Sequence, residues 1–302
     1  MSAKVLKTDK TESVAKNTKK KKRFSVAAFI VCLVYVYIVL VPFYVILVTS
    51  VTPLIEYGSS SSFVWFPQKP TFQAYVDLFT QDPMVLMIGV PSLLIGFGNT
   101  LWMAVLSCTV SVLVSGLAAY VYSKYSFKGK SVLFGIQITT IMIPTATLTI
   151  PSYVYYNAIG WGQGFAPLIV PIMFGGATAI YFLRSYMTSI PNEVIEAAKM
   201  DGLGLLGIYI KVIIPLSLPA LVAQFIFSFI GMYNSYQGPL LYLYSNPRWY
   251  TLQLALNNVQ SIFKNPNQQC ASAIVALVPL IVIYVFLQRF FIEGISVGGG
   301  KE

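Results

Sequence analysis

The chain has 302 residues, of which 56% are apolar and only 10% are charged, with a formal net charge of +10. Soluble domains carry about a quarter charged residues, so this composition excludes an ordinary water-soluble protein and favours a surface that faces lipid. There is no histidine, and the three cysteines form no C-x-x-C pair, which argues against histidine-dependent enzymes, haem ligation by histidine and zinc sites.

The chain begins with a basic tail. Residues 1–23 hold nine basic and two acidic residues, and residues 24–55 then carry no charge. This apolar run is too long for the core of a secretory signal, so we predict a cytoplasmic tail over 1–23 followed by a first span. The cluster Lys19–Arg23 is typical of a segment that orients a span beside anionic lipid. Nucleic-acid binding is disfavoured because the cluster lies on a short tail with no folded reading surface.

Apolar stretches long enough to cross a bilayer core of about 30 Å recur along the rest of the chain. We predict an all-α integral membrane domain over 24–302. Its six spans are expected at 26–50, 97–122, 131–156, 165–187, 216–243 and 271–291. Residues 83–95 also lack charge. We interpret them as an outer-surface segment broken by Pro91 and Gly96, because a further span there would move Lys124, Lys128 and Lys130 to the outside.

The distribution of basic residues predicts the orientation. With six spans, seventeen of the twenty Lys and Arg residues fall on one side, and only Lys69, Arg248 and Lys264 on the other. Basic loops favour the cytoplasm, so both termini are predicted to be cytoplasmic.

Between the fourth and fifth spans lies a polar segment, residues 188–215. Pro191-Asn192 with Glu193 in the first turn predicts a helix start, and Gly202 predicts its end. A second helix is expected to run to about Ile214, where Pro215 ends it. The predicted object is a helix–glycine–helix unit on the cytoplasmic face.

The first helix of this unit has the features of a docking helix. Glu193, Glu196 and Lys199 follow one another at i, i+3 and i+6, and Ala197 and Ala198 offer a second face of small side chains. A helix that enters the groove of a partner needs such a face. An ordinary amphipathic loop between two spans is the alternative.

These residues carry a resemblance to a known family. Glu196-Ala197-Ala198 is followed after three residues by Gly202, and after nine more by Val212-Ile213-Ile214-Pro215. This resembles the EAA loop (Glu-Ala-Ala … Gly … Ile-x-Leu-Pro) of the permeases of ATP-driven (ABC) importers. The flanks, Phe182–Met187 with Ile190-Pro191 and Gln288–Gly294, are similar to those of maltose-type carbohydrate permeases. Residues 233–236 depart from that pattern, since Tyr-Asn-Ser-Tyr stands where Trp-Asn-Asp-Phe is common.

The resemblance implies a transport function and a set of partners. It implies a permease subunit that imports a sugar or oligosaccharide by alternating access across a bacterial or archaeal cell membrane. It also implies a homologous second permease, two ATP-binding cassette subunits and an extracytoplasmic substrate-binding protein. The chain has no P-loop motif, so ATP and Mg are expected on the partner subunits and no enzyme activity on this one. The residues implied in ATPase coupling are Glu193, Glu196, Ala197, Ala198, Asp201, Gly202 and Pro215.

The substrate pathway is predicted from uncharged polar side chains within the spans. Sugars offer hydroxyls to such groups and apolar faces to aromatic rings. The candidates are Thr145, Tyr233, Asn234, Tyr236 and Gln237. Asn234 and Gln237 are three positions apart and would share a helical face. Interfacial tyrosine belts and threonine-mediated helix packing are the alternatives.

Three other functions remain as alternatives. No ionisable residue lies deep in a predicted span, which disfavours an ion-coupled secondary carrier. The same residues suit a permease for another small polar solute, such as glycerol phosphate. A membrane enzyme would need acids and bases within the spans, and the predicted spans lack them.

The family resemblance also covers the loop at 244–270. It implies that this loop faces the binding protein.

Overall fold

The computed structural model describes residues 26–59 and 63–299, and the predicted tail over 1–23 lies outside the described residues. The described part is helical and contains no strand. Its helices are α1 Val26–Val51, α2 Leu54–Ser59, α3 Gln73–Thr80, α4 Pro83–Ile88, α5 Ser92–Lys124, α6 Lys130–Ile141, α7 Thr149–Ala158, α8 Ala166–Met173, α9 Ala177–Thr188, α10 Asn192–Met200, α11 Leu205–Ile208, α12 Ile214–Leu216, α13 Leu218–Tyr233, α14 Gln237–Leu243, α15 Leu252–Ile262 and α16 Pro266–Gly299. Short 3₁₀ turns cover Thr145–Leu148 and Pro247–Trp249, and Tyr209–Ile213 is a π-helical turn between α11 and α12.

Four helical runs of the described chain are long and apolar enough to cross a membrane: Ala28–Val51, Ser92–Lys124, Ala166–Thr188 and Pro266–Phe286. The count rises to six if each of two bent helix pairs forms one span. The all-α membrane fold is therefore confirmed. The pairs are Lys130–Ile141 with Thr145–Ala158, and Leu205–Leu216 with Leu218–Tyr233.

The third predicted span, 131–156, is sharply bent. Its two halves, α6 and the run Thr145–Ala158, meet at 88°. Pro144 stands at the bend in an extended conformation, with φ −61° and ψ 123°. A proline disfavours helix in the residue before it and donates no backbone hydrogen bond, so α6 ends just before this point.

α5 is the central helix of the bundle. In its most apolar stretch 44% of residues are buried, against none in the corresponding stretch of α1. One side carries small residues at helical spacing that let neighbouring helices approach closely: Gly96, Thr100, Ala104, Ser107, Cys108, Ser111, Ser115, Gly116 and Ala119.

The start of α5 corrects a sequence expectation. The second span was expected at residue 97, after a break at Pro91 and Gly96. The helix instead starts at Ser92 and runs through Gly96. A Cβ added to Gly96 would lie 2.8 Å from the Ala255 Cβ and 2.9 Å from the Leu252 Cα. Gly96 is therefore a close-packing site for α15 and not a helix breaker.

Two apolar clusters lie along α5. One joins Leu93 and Ala104 to Leu252, Ala255 and Val259 of α15. The other joins Ala119 and Tyr120 to α9 and to the 188–215 segment. Gly96 and Gly116 mark the two contacts and are twenty positions apart in one helix, so the contacts are separated by about 30 Å. That distance matches the thickness of a bilayer core.

Candidate functional site

The helix–glycine–helix unit predicted for the 188–215 segment is present. α10 covers Asn192–Met200, and Gly202 follows with φ +82°. Gly202 N donates to Lys199 O at 3.0 Å, and Leu203 N donates to Ala198 O at 3.1 Å. These two bonds form a Schellman motif, which needs a left-handed residue at Gly202 and explains why glycine stands there. The turn is thus fixed by the local sequence.

The faces of α10 differ from the expectation in one respect. Glu193, Glu196 and Ala197 are exposed, as docking would require. Ala198, expected on a docking face, is only 6% exposed and packs with Ile195 into the cluster around Tyr120. Its burial follows from the helical period, because Ile195 and Ala198 are three positions apart on one side.

The second helical run ends at Leu216, one residue after Pro215, and not at Ile214 as the sequence predicts. Pro215 lies within α12, and the chain bends by 82° after Leu216, where α13 begins at Leu218. Pro215 itself is exposed.

Tyr209 fastens the segment to the central helix. Its hydroxyl donates to Leu113 O of α5 at 2.6 Å, and its ring stacks on that of Tyr120 with centroids 5.9 Å apart. Gly116 makes room for it, since a Cβ there would lie 2.6 Å from the Tyr209 hydroxyl oxygen. Tyr209 begins the π-helical turn, a feature frequent at functional sites.

Two lysines hold the start of the segment. Lys124, the last residue of α5, donates to the Ile190 carbonyl and to Asn192 Oδ1, the latter at 3.2 Å. Lys199 of α10 lies over the ring of Tyr125, 5.2 Å from its centre. The C-terminal end of α5 is therefore linked to both ends of α10, on the N-terminal side of the glycine turn.

The outer surface of the segment combines acids with exposed apolar side chains. Asp201 is exposed beside Glu193 and Glu196. Met200 is 88% exposed, and Leu206 and Ile210 are 58% and 59% exposed. Large apolar side chains gathered beside charged ones are typical of protein-binding surfaces.

The fifth span is broken where the pathway residues were predicted. α13 ends at Tyr233, and α14 starts at Gln237. Asn234 and Gln237 therefore do not share a continuous helical face, and that expectation is wrong. Gly238 follows the break, where a Cβ would lie 2.8 Å from Leu168 Cδ2, so close packing against α8 sets the path of the chain.

The candidate pathway residues separate into different environments. Tyr233 is only 2% exposed and its hydroxyl donates to Ala276 O of α16 at 2.6 Å, which is a packing contact between the fifth and sixth spans. Asn234, Tyr236 and Gln237 are exposed. Thr145 is exposed beside the bend of the third span, and the hydrogen bonds of the described residues do not join it to the other four.

Helix α15 supplies polar side chains that the sequence reasoning did not identify. Gln253 Nε2 donates to Asn234 Oδ1 at 3.4 Å, and the Tyr236 hydroxyl donates to Asn257 Oδ1 at 3.2 Å. Gln253 and Asn257 are four positions apart, so they share one face of α15. We call Asn234, Tyr236, Gln253 and Asn257 the amide row.

α5 and the loop before α15 hold that helix in place. Asn99 Nδ2 donates to the carbonyls of Arg248 and Tyr250, each at 2.9 Å, and Leu252 N donates to Thr100 Oγ1 at 2.8 Å. Burial, assisted by Tyr244, raises the pKa of the Tyr250 hydroxyl, which stays neutral and donates to Tyr244 O.

The 244–270 loop contains a folded part that packs into the core of the protein. Val259 is fully buried and Phe263 is 8% exposed, and both belong to the cluster around Leu93. A test of this loop therefore uses single substitutions at exposed positions such as Ser261 and Lys264, because a deletion would also remove buried core side chains.

The chain matches the model of a known protein family. Residues 111–297 match the model of the binding-protein-dependent transport system inner membrane component. The chain belongs to this family. The resemblance to importer permeases drawn from the 188–215 segment is thus confirmed.

Individual relatives of this inner membrane component extend the match. An inner membrane ABC transporter permease protein of Escherichia coli is 30% identical over 272 residues, 88% of this chain and 93% of the relative. The arabinooligosaccharides transport system permease protein of Halalkalibacterium halodurans is 30% identical over 206 residues, 68% and 73% of the two chains.

A solved structure shares the fold of this inner membrane component. A bacterial ABC transporter involved in the import of the acidic polysaccharide alginate aligns with a TM-score of 0.72 and 22% identity, covering 89% of this chain and 96% of that one. At this identity the likeness supports the fold alone.

Proposed function

We propose that this chain is the permease subunit of an ATP-driven importer that moves a sugar or oligosaccharide into the cytoplasm. Its family is that of binding-protein-dependent transport components, and a relative carries the name of an arabinooligosaccharide permease. The partners in this proposal are a homologous second permease, two ATP-binding cassette subunits and an extracytoplasmic substrate-binding protein.

The main structural support for this proposal is the exposed surface of the 188–215 segment. The segment exposes three acidic side chains and a group of apolar ones. On its other side it is bonded to α5, through Tyr209 to Leu113 and through Lys124 to Asn192. A helix held on one side and free on the other suits docking into a groove of the ATP-binding cassette subunit. ATP and Mg would be bound by that partner.

The mechanism follows from the path between the two ends of α5. ATP binding would bring the cassette subunits together and move α10 with them. Because Tyr209 bonds to Leu113 and stacks on Tyr120, that movement would pass to α5. Gly96, Asn99 and Thr100 at the other end of α5 contact α15 and its preceding loop. Motion at the ATPase side would thereby reach the amide row, as alternating access requires.

The amide row is the proposed contact for sugar hydroxyls. Its amides and its phenol offer both donors and acceptors. Its hydrogen bonds of 3.2 and 3.4 Å are long, and its fifth-span members Asn234 and Tyr236 are exposed. Such groups can exchange an internal partner for a substrate hydroxyl at little cost.

The function is tested by reconstitution of the whole transporter in proteoliposomes. ATP hydrolysis and uptake would be measured with the binding protein and a panel of arabino- and malto-oligosaccharides, with glycerol phosphate as the rival solute. We expect one sugar class to stimulate both. Stimulation by glycerol phosphate alone would favour the other importer, and uptake driven by an ion gradient without ATP would favour a secondary carrier.

Coupling through the 188–215 segment is tested with Glu196→Lys. Reversal of an interfacial charge is expected to weaken ATPase docking about tenfold or more while the chain stays in the membrane. Lys69→Glu, an equal reversal at an exposed site outside both the 188–215 segment and the 244–270 loop, is the control. Normal sugar uptake by Glu196→Lys would contradict the docking role.

The glycine turn gives a second, independent test. At φ +82°, Gly202→Ala adds about 1–2 kcal/mol of strain. Gly204 has φ −74° and no other atom within 4 Å of an added Cβ, so Gly204→Ala is the matched control. We expect Gly202→Ala to hydrolyse ATP without proportionate uptake and Gly204→Ala to resemble wild type. Equal behaviour of the two variants would count against a defined turn geometry in coupling.

A further inference from the structure

A basic pocket opens between the ends of the second, third and fourth spans. It has a volume of 460 Å³ and is lined by Phe127, Gly129, Lys130, Ser131, Val132, Phe134 and Arg184. That volume lies within the range of about 300–1,000 Å³ usual for small-ligand sites. The pocket lies beside α6 and α9 and apart from both the docking surface of α10 and the amide row.

Two cations line the pocket on a fixed frame. Lys130 Nζ donates to Tyr125 O at 2.8 Å, and Arg184 Nε donates to Tyr122 O at 3.4 Å. The Arg184 guanidinium lies 4.0 Å from the centre of the Phe134 ring, which fixes its plane. Within the described part of the chain its two terminal amino groups make no hydrogen bond and neither cation forms an ion pair. They are therefore free to bind an anion.

The walls of the pocket are apolar and continue down α6. Phe127 and Phe134 stand beside the cations, and Val132 is 66% exposed. Below them Leu133 and Ile136 are 51% and 60% exposed. A soluble phosphate would make no use of this surface, whereas the acyl chains of a lipid would cover it.

The pocket also lies at the right depth. Lys130 begins α6, and Arg184 is one turn from the end of α9 at Thr188, so both cations mark the border of apolar spans. Lipid phosphates lie at this border, and basic pockets between spanning helices bind anionic headgroups there.

We propose that this pocket binds the phosphate of an anionic membrane lipid, with Lys130 and Arg184 as its ligands and the exposed face of α6 as the contact for an acyl chain. The bound lipid would brace the loop 125–129 against α9, next to the Lys124 and Tyr125 contacts that hold the 188–215 segment. The lipid requirement is separate from the choice of transported solute.

The test measures lipid retained by the full-length protein purified with its associated subunits. Vesicles of equal amounts of phosphatidylcholine and phosphatidylglycerol would supply both lipids, and mass spectrometry would quantify those retained. We expect phosphatidylglycerol to be enriched. Each cation near an anionic lipid contributes roughly fivefold to binding, so Lys130→Gln should lower the enrichment about fivefold and Lys130→Gln with Arg184→Gln further.

Two variants guard against unfolding and general charge effects. Ser131→Asp adds an acid in the first turn of α6, which favours the helix but repels the lipid phosphate. It should also lose the enrichment. Lys128→Gln removes the same charge from an exposed side chain that does not line the pocket, and should keep it.

Four outcomes would overturn the proposal. They are no enrichment in the wild type, equal losses for Lys128→Gln and Lys130→Gln, full enrichment in Ser131→Asp, and displacement of the lipid by inorganic phosphate. Displacement would assign the pocket to a soluble anion. Absence of enrichment would mean that another subunit or nothing covers this face.

Discussion

Gly116 is the residue that lets the central helix and the 188–215 segment approach each other. The Tyr209 hydroxyl occupies the space where any other residue would place a Cβ, and from there it reaches the Leu113 carbonyl. Leu113 lies in the interior of α5, and its carbonyl oxygen has a second lone pair that accepts the Tyr209 hydroxyl proton. This contact stabilises the packing because an unpaired hydroxyl within a membrane span would be costly. The pair is a steric fit with one hydrogen bond at its centre.

We expect Gly116→Ala to destabilise the protein by about 1–3 kcal/mol, since the Tyr209 ring must move to admit the methyl group. Gly98→Ala on the same helix meets no atom within 4 Å and should be neutral or slightly stabilising. Thermal unfolding of the purified transporter measures both effects.

The double variant Gly116→Ala with Tyr209→Phe sharpens this test. Removal of the hydroxyl relieves the 2.6 Å contact, so part of the loss should be recovered, although one hydrogen bond of about 1 kcal/mol is gone. Strictly additive losses would show that the two residues do not oppose each other as the geometry implies.

Among the helices, the break between α13 and α14 interrupts the fifth span beside the amide row. Asn234 ends α13 with its side chain bonded to the Ile230 carbonyl at 3.0 Å, and the chain then turns toward α15. Non-helical backbone at membrane depth is tolerated where it is buried in protein or lines a water-filled cavity. The break and the polar face of α15 together have this character.

We expect Asn234→Leu to reduce sugar uptake while assembly and basal ATP hydrolysis stay near normal. Leucine keeps the size of the side chain and removes its donors and acceptor, and the exposed position does not disturb the core. The measurement is uptake in proteoliposomes together with the yield of assembled complex.

Asn157→Leu is the matched control for Asn234→Leu. Asn157 is also exposed and also donates to the carbonyl four residues earlier, Tyr153 O at 2.8 Å. If Asn234→Leu fails to assemble, or if both variants transport equally well, the amide at 234 is a packing or capping group and not a substrate contact.

In the molecule as a whole, α5 connects the α15 region at one end to the 188–215 segment at the other. The helix has 33 residues and is therefore about 50 Å long, more than the bilayer core of about 30 Å. Its first turns contact α15 and its last turns contact α9, α10 and the π-helical turn. Because the helix is longer than the bilayer core, its two ends are predicted to lie on opposite sides of the membrane.

This separation predicts opposite accessibility for the two ends in intact cells. In a background without Cys32, Cys108 and Cys270, Lys264→Cys should react with a membrane-impermeant maleimide and Ser126→Cys should not. Both side chains are exposed, so a difference in labelling reports the side of the membrane. The reverse pattern would overturn the cytoplasmic placement of the 188–215 segment that the basic residues predict.

Features that depend on neighbouring residues alone could be predicted from the amino-acid sequence. Apolar runs predict helices that need lipid, and the helix that starts at Asn192 and stops at Gly202 follows from an acid in the first turn and a left-handed glycine. The family followed from the spacing of Glu196, Gly202 and Pro215 through its resemblance to the EAA loop, and the family model agrees.

Contacts between residues far apart in the chain could not be predicted in this way. Tyr209 contacts Gly116 and Leu113, and Gln253 contacts Asn234, across separations in sequence that no helical period relates. Tyr233 and Ala198 are polar-site and docking candidates by composition, yet both turn into this chain's own core. The bend at Pro144 and the break after Tyr233 were likewise not predicted, because hydropathy records how apolar a stretch is and not the angle at which its neighbours hold it.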